Sequence, residues 1–74
     1  MAEVQMQETG GSAMVASIGY DPDDQEIYVN FETDGSTWAY SPASPEMWEA
    51  FQASGSKGQF VHRVLKRQCS GRRV

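Results

Sequence analysis

Few residues in this chain are of a type that carries catalysis. There is one histidine, His62, and one cysteine, Cys69. A thiol beside an imidazole makes a nucleophile and its base, but these two lie seven positions apart near one end of the chain. On a helix that spacing is about two turns, roughly 10 Å along the axis, which is too far for proton transfer. No second pair of ligands stands at zinc spacing, so neither a catalytic dyad nor a metal site is expected, and no cofactor is implied. Asp21, Asp23, Asp24 and Glu26 crowd one short stretch. A calcium loop needs a glycine and a terminal glutamate at set positions, which are missing here, and an acidic hairpin turn is the plainer account.

Binding chemistry is better represented. Ser56, Lys57 and Gly58 stand where a helix is expected to begin. Free N–H groups, a hydroxyl, an ammonium and a glycine that permits close approach can converge there on one phosphate. Ser56 with Gln59 three residues on also has capping-box form, which explains the serine without any ligand and leaves only Lys57-Gly58 lacking a complete structural role. The residue order of a nucleotide-hydrolysing phosphate loop is absent. Arg63, Lys66 and Arg67 form a basic arc that can meet a phosphate backbone or simply be the solvated, dipole-favoured end of a helix. Tyr28, Trp38 and Tyr40 can offer stacking faces to unpaired bases. Of these, Trp38 is expected inside as the large core aromatic, with at least one tyrosine hydroxyl left exposed.

The elements that must position these groups read as α+β. Met14–Tyr20 is a first strand running into the turn-forming Asp21-Pro22-Asp23-Asp24. Ile27, Val29 and Phe31 alternate with Tyr28, Asn30 and Glu32, the pattern of a half-buried strand. Asp34-Gly35 turns the chain into a third strand, Thr37–Ser41. Ser44, Pro45 and Glu46 are N-cap, first helical residue and dipole-favoured acid of a helix that reaches about Ala53, with Gly55 a natural stop. A second helix spans residues 57–68. At 100° per residue, Phe60, Val61, Val64 and Leu65 take one side, and His62, Arg63, Lys66 and Arg67 take nearly the opposite one. The expected architecture is a three-stranded antiparallel meander followed by two short helices packed on one face. Residues 1–11 are expected to be a flexible leader, 12–68 the single domain and 69–74 a basic tail without a reason to be ordered.

A chain of 74 residues buries only about 60–65% of its unfolded surface, and a modest stability of about 4–11 kcal/mol is expected. The lone cysteine, the lack of a long apolar run and the lack of a signal-peptide pattern predict a cytoplasmic protein, read as a monomer. Net charge is −4, yet every carboxylate lies at or before Glu49 and every Lys and Arg at or after Lys57. The acidic average argues against a general nucleic-acid coat, while the basic last third can still meet phosphate over a limited patch.

Taken together, Gly35-Ser36-Thr37-Trp38-Ala39-Tyr40 and Ala53-Ser54-Gly55-Ser56-Lys57-Gly58-Gln59-Phe60 resemble the KTSC domain. That family takes its name from the C-terminal extension of some lysyl-tRNA synthetases and also occurs as small stand-alone proteins of bacteria and phages. The likeness covers about Ser12–Arg67. The family's usual tyrosine, any residue, tyrosine appears as Trp38-Ala39-Tyr40, and His62 stands where an amide is more usual. The resemblance implies RNA binding as a family suggestion. Two readings follow. One is a non-enzymatic module that binds RNA or single-stranded nucleic acid through Ser56, Lys57, Gly58, Arg63, Lys66 and Arg67, with Tyr40 and Tyr28 as stacking faces. The other is a protein-interaction module, such as a phage or mobile-element accessory protein that binds a host protein through the hairpin acids Asp21, Asp23, Asp24, Glu26, Glu32 and Asp34.

Overall fold

Two turns built from aspartate side chains set the frame. The computed structural model describes residues 4–9 and 14–74, so the Gly10-Gly11 pair lies outside the described residues. Strand β2 (Val15–Asp21) ends on a buried carboxylate. Asp21 Oδ1 accepts from the backbone N–H groups of Asp23 at 3.0 Å and Asp24 at 3.3 Å, which is the capping use expected of turn aspartates. Gln25 closes the turn with φ at 52°, and its carbonyl accepts from the Ala43 N–H at 2.7 Å. The chain returns as β3 (Glu26–Phe31). At the next turn Gly35 takes φ at 74°. Asp34 Oδ1 accepts from the Ser36 N–H at 3.0 Å and the Ser36 hydroxyl at 2.6 Å, and β4 (Thr37–Ser41) follows.

These three strands pair antiparallel, with Tyr20 opposite Ile27 and Ile27 opposite Tyr40, and with Ile18 opposite Val29 and Val29 opposite Trp38. A bulge at Ala16, between Val15 and Ser17, lets both Val15 and Ile18 enter the core although they are three positions apart.

The sheet has five strands rather than the expected three, in the order β1-β2-β3-β4-β5 and antiparallel throughout. Part of the presumed leader is β1 (Gln7–Glu8), paired to Ile18 and Ser17. The presumed tail is β5 (Ser70–Arg73), paired to β4 with Gly71 opposite Tyr40 and Arg73 opposite Trp38. Both are corrections with a tertiary cause. A Cβ on Gly71 would lie 2.7 Å from Tyr40 Cε1, so only glycine lets this strand lie against the ring. Arg72 then reaches the buried Glu26 with contacts of 3.0–3.3 Å to both carboxylate oxygens.

Helix α1 (Pro45–Ala53) begins as expected, with Ser44 Oγ accepting from the Met47 N–H at 3.2 Å. Its end is not a left-handed glycine: Ser54 leaves in an extended conformation and its hydroxyl donates to Phe51 O at 2.8 Å. Helix α2 occupies residues 57–68. It is α-helical over Lys57–Phe60, widens to a π-helix over Val61–Leu65, and is α-helical again over Lys66–Gln68. The wider turn keeps the expected division of faces: Val61 and Leu65 are buried, while His62, Arg63, Lys66 and Arg67 are exposed.

Both helices cover the sheet face that carries Ile18, Ile27, Val29 and Tyr40, and Phe51, Val61 and Leu65 close the core from the helical side. Stacked rings extend it, Tyr20 on Trp48 at 5.5 Å and Phe51 on Phe60 at 4.9 Å between centroids. No helix among the described residues is long and apolar enough to cross a membrane.

Candidate functional site

The first turn of α2 is occupied by the fold itself. Ser56 Oγ accepts from the Gln59 N–H at 3.3 Å, the N-cap bond that Ser and Gln at this spacing predict. Lys57 turns backward, and its ammonium donates to Gln52 O at 3.1 Å and to Ser54 O at 2.8 Å. It thereby caps the carbonyl end of α1, where a cation is favourable with the helix dipole. Gly58 is buried. Ser56, Lys57 and Gly58 therefore have structural roles or no access, and they do not converge on an open phosphate site. A shallow depression of about 220 Å³ is lined by Ser54, Gly55 and Ser56 together with Gln59, Phe60 and Arg63, so of the predicted residues it brings Ser56 and Arg63 together.

The second half of α2 builds something different. Across the π-helical stretch, His62 and Lys66 project from one side of the helix over the end of the sheet. Together with the sheet they bound a groove of about 270 Å³. Its floor is aromatic, from Phe31 on β3 and from Trp38 and Tyr40 on β4. The lining also takes in Thr33, Asp34 and Ser36 of the β3–β4 turn and Met14. The volume lies just below the range of drug-sized clefts, about 300–1,000 Å³, so the groove has room for a planar ring rather than for a large cofactor.

The aromatics exchange the places expected of them. Tyr40 is the buried ring, at 3% exposure, and burial pushes its hydroxyl above the ordinary tyrosine range. Trp38 is only half-buried and lines the groove. The reason is position along one strand. Tyr40 lies between Ile27 and Gly71 in the middle of the sheet, whereas Trp38 lies one row nearer the turn, between Val29 and Arg73. Tyr28 points to the opposite face from both, in register with Gly19 and Ala39. Its hydroxyl is pushed up by burial and then by the Glu26 carboxylate. It cannot share a stacking surface with Tyr40: Tyr40 is buried, and Tyr28 is half-buried on the other face of the sheet.

Of the residues singled out by type, Lys66, Tyr40, Trp38, His62 and Asp34 line this groove. Arg63 lies along the neighbouring depression, Arg67 is exposed elsewhere on α2, and Lys57 lies near Gln7 and Glu8. Trp38 is among the stacking faces expected from the sequence and Asp34 among the hairpin acids, whereas Phe31 and His62 have no binding role there. His62 and Lys66 carried a signal, a four-residue spacing on one helix face; Phe31 and Trp38 sit two rungs apart on adjacent strands, which only the register reveals.

The groove itself carries one cation, Lys66, and one carboxylate, Asp34. Arg72 is paired with Glu26 and Lys57 with carbonyls, while Arg63, Lys66, Arg67 and Arg73 make no ion pair among the described residues. Conversely, three of the hairpin acids are used internally: Asp21 and Asp34 as turn caps and Glu26 by Arg72. The hydrogen bonds from Ser36 hold the Asp34 carboxyl below the usual range. Cys69 stands apart from His62; its Sγ donates to Pro42 O at 3.2 Å and lies 3.7 Å from Met47 Sδ. Burial pushes that thiol up, away from thiolate.

A family model of the KTSC domain matches residues 11–68. The chain belongs to the KTSC domain family. A KTSC domain protein of Yersinia pestis known from its crystal structure is 30% identical and superposes with a TM-score of 0.87 over 97% of this chain and 99% of its own. A superposition lacking β5 could not reach that coverage, so the last strand belongs to the shared fold although the family match ends at residue 68. A protein of Tsukamurella paurometabola is 38% identical over 55 residues, 74% of this chain and 81% of that one. An uncharacterized protein of Stutzerimonas stutzeri is 33% identical over 57 residues, 77% and 79% of the two. Within this KTSC domain, the groove sits at Trp38, one row along β4 from the buried Tyr40.

Proposed function

We propose that this KTSC domain is a non-enzymatic module that binds single-stranded nucleic acid. An unpaired base lies against Trp38 and Phe31, and the adjoining phosphates meet Lys66, Arg63, Arg67 and Arg73. The observation that carries this reading is the juxtaposition of a ring-sized aromatic groove with cations that the fold leaves unpaired among the described residues. Aromatic faces beside a basic surface bind unstacked bases with little sequence preference. The site is thus the second half of α2 and the sheet end beneath it, not the first turn of that helix. A duplex offers no free base face, so the single strand is the substrate. Of the hairpin acids of the protein-interaction reading, Asp21, Glu26 and Asp34 serve the fold, while Asp23, Asp24 and Glu32 are exposed.

Titration of the protein with labelled single-stranded RNA, followed by anisotropy, tests this. Binding is expected at about 10 mM salt, weakening as salt rises with a slope of about 0.7 per phosphate contact. Lys66→Gln is expected to lower that slope by about one contact and to leave the thermal unfolding unchanged. Absence of binding at that low salt refutes the proposal.

A further inference from the structure

We infer that His62 is a further phosphate contact of this groove, one that acts only in its protonated form, so that mild acid tightens the domain's hold on a single strand. The inference rests on the nucleic-acid reading above and adds to it a regulation of the same site.

His62 and Lys66 stand four positions apart on α2, both exposed and both lining the groove. Residues at that spacing are neighbours on one helix face. A phosphate that meets the Lys66 ammonium beside the Trp38 and Phe31 rings therefore lies close to the imidazole as well. His62 makes no ion pair among the described residues, so no carboxylate among them holds its charge in competition with a ligand.

The state of that imidazole sets the net charge of the lining. With His62 neutral, the groove holds one cation, Lys66, and one carboxylate, Asp34. Protonation adds a second cation. A neutral imidazole offers one donor and one acceptor, whereas the imidazolium donates from both nitrogens, and its hydrogen bonds to phosphate are charge-assisted. In the free protein the imidazolium and the Lys66 ammonium repel each other along the helix face. A phosphate seated between them offsets that repulsion, so binding and protonation favour each other.

No other group at the groove supplies this effect. The hydrogen bonds from Ser36 keep the Asp34 carboxyl low, and burial keeps the Tyr40 hydroxyl high, so neither changes charge near neutral pH. The charged neighbours on the flanking elements are Glu32 in the β3–β4 turn, Arg63 on α2 and Arg73 on β5. Carboxylates as a type titrate at about 4, and lysine, tyrosine and arginine at about 10 or above, which leaves imidazole as the side chain that changes charge between about pH 5 and 8. The chain has a single histidine. Cys69 lies against Pro42 and Met47 instead, its thiol pushed up by burial.

The test is the anisotropy of a labelled oligouridylate without a terminal monophosphate, measured at about pH 5.5 and about pH 8 from about 10 mM salt upward. Uracil takes up no proton in this range and the phosphodiesters stay ionised, so the change in pH acts on the protein. The unaltered protein is expected to bind about twofold to fivefold more tightly at the lower pH, the span of one exposed charge pair, with a salt slope steeper by about 0.7. His62→Gln is expected to show the weaker binding at both pH values, and His62→Lys the tighter binding at both. Any share from the α-amino group, which also titrates nearby, persists in both variants and is subtracted. Circular dichroism checks that both fold. Equal affinity and equal slope at the two pH values in the unaltered protein overturn the inference and leave the nucleic-acid reading standing. So does a pH effect that a folded His62→Gln variant keeps in full, since His62 is then not its source. Absence of binding at both pH values removes both.

Discussion

The Arg72–Glu26 pair yields a sharp prediction because its two ends differ in exposure. The Glu26 side chain is 8% exposed and that of Arg72 is 61% exposed. Arg72→Gln leaves a buried carboxylate without the three contacts of 3.0–3.3 Å that now satisfy it. Hydrogen bonds to charged groups contribute about 1.5–3 kcal/mol, and stranding a fully buried charge costs about 3–5 kcal/mol. An exposed pair contributes about 1 kcal/mol at most. Water reaches this pair from the arginine side, so the loss is set near the lower bounds, about 1–2 kcal/mol. For a domain of this size that is a fall in Tm of about 5–15 °C. Glu26→Gln is the milder change, since the guanidinium it abandons is already solvated and the new amide carries no buried charge; its cost is expected below about 1 kcal/mol. The double variant is expected to resemble Glu26→Gln. Urea unfolding followed by tryptophan fluorescence measures all three, and a cycle at low and high salt measures the coupling. If Arg72→Gln costs no more than Glu26→Gln, β5 is not held by this contact and the reasoning fails.

Two further outcomes follow from single residues. Cys69, its thiol pushed up by burial against Pro42 and Met47, should react with iodoacetamide more slowly in the native protein than in urea at pH 8. Its folded value lies above the unfolded one, so the associated stability is full below the unfolded thiol value and is lost as pH rises through the folded one; equal rates in the two states refute the burial. Gln25→Gly should stabilise the domain by about 0.5 kcal/mol, because the left-handed φ of 52° disfavours any residue with a Cβ while glycine's greater unfolded entropy offsets part of the gain. Urea midpoints decide it, and a destabilised variant refutes it.

What could be read from the chain alone was what its neighbours in sequence determine. Asp21 with Asp23 and Asp24, Asp34 with Gly35, Ser44 with Pro45 and Ser56 with Gln59 all act within a few residues, and each performs the local task its type predicts. The helix faces were legible for the same reason, and the π-helical turn did not disturb them. Strand β5 was not legible because Ser70-Gly71-Arg72-Arg73 has no alternation of its own. Gly71 acquires meaning only with the Tyr40 ring opposite, and Arg72 only with Glu26, which lies 46 positions earlier. The exchange of Trp38 and Tyr40 has the same origin, since both rings sit on one strand face and the partner strand decides which is covered. Lys57 did carry a signal, a lysine just beyond a helix end, but its position at the start of the next helix drew attention to phosphate instead.

Strand β5 joins the stability of this domain to its proposed site. Arg73 is in register with Trp38, the ring that lines the groove, and after the Ser36 hydrogen bonds its charge adds a smaller lowering of the Asp34 carboxyl. The residue beside it, Arg72, is in register with Ala39 and reaches Glu26 on the opposite face of the sheet. Adjacent side chains on a strand point to opposite faces; one arginine therefore fastens the strand from behind while the next is delivered to the front. Loosening Arg72 should accordingly weaken nucleic-acid binding although Arg72 is not near the groove. The loss should scale with the fraction of molecules in which β5 is detached, whereas Lys66→Gln should weaken binding with no change in unfolding. Comparing the two variants at one salt concentration separates a residue that meets the ligand from one that only keeps its neighbour in place.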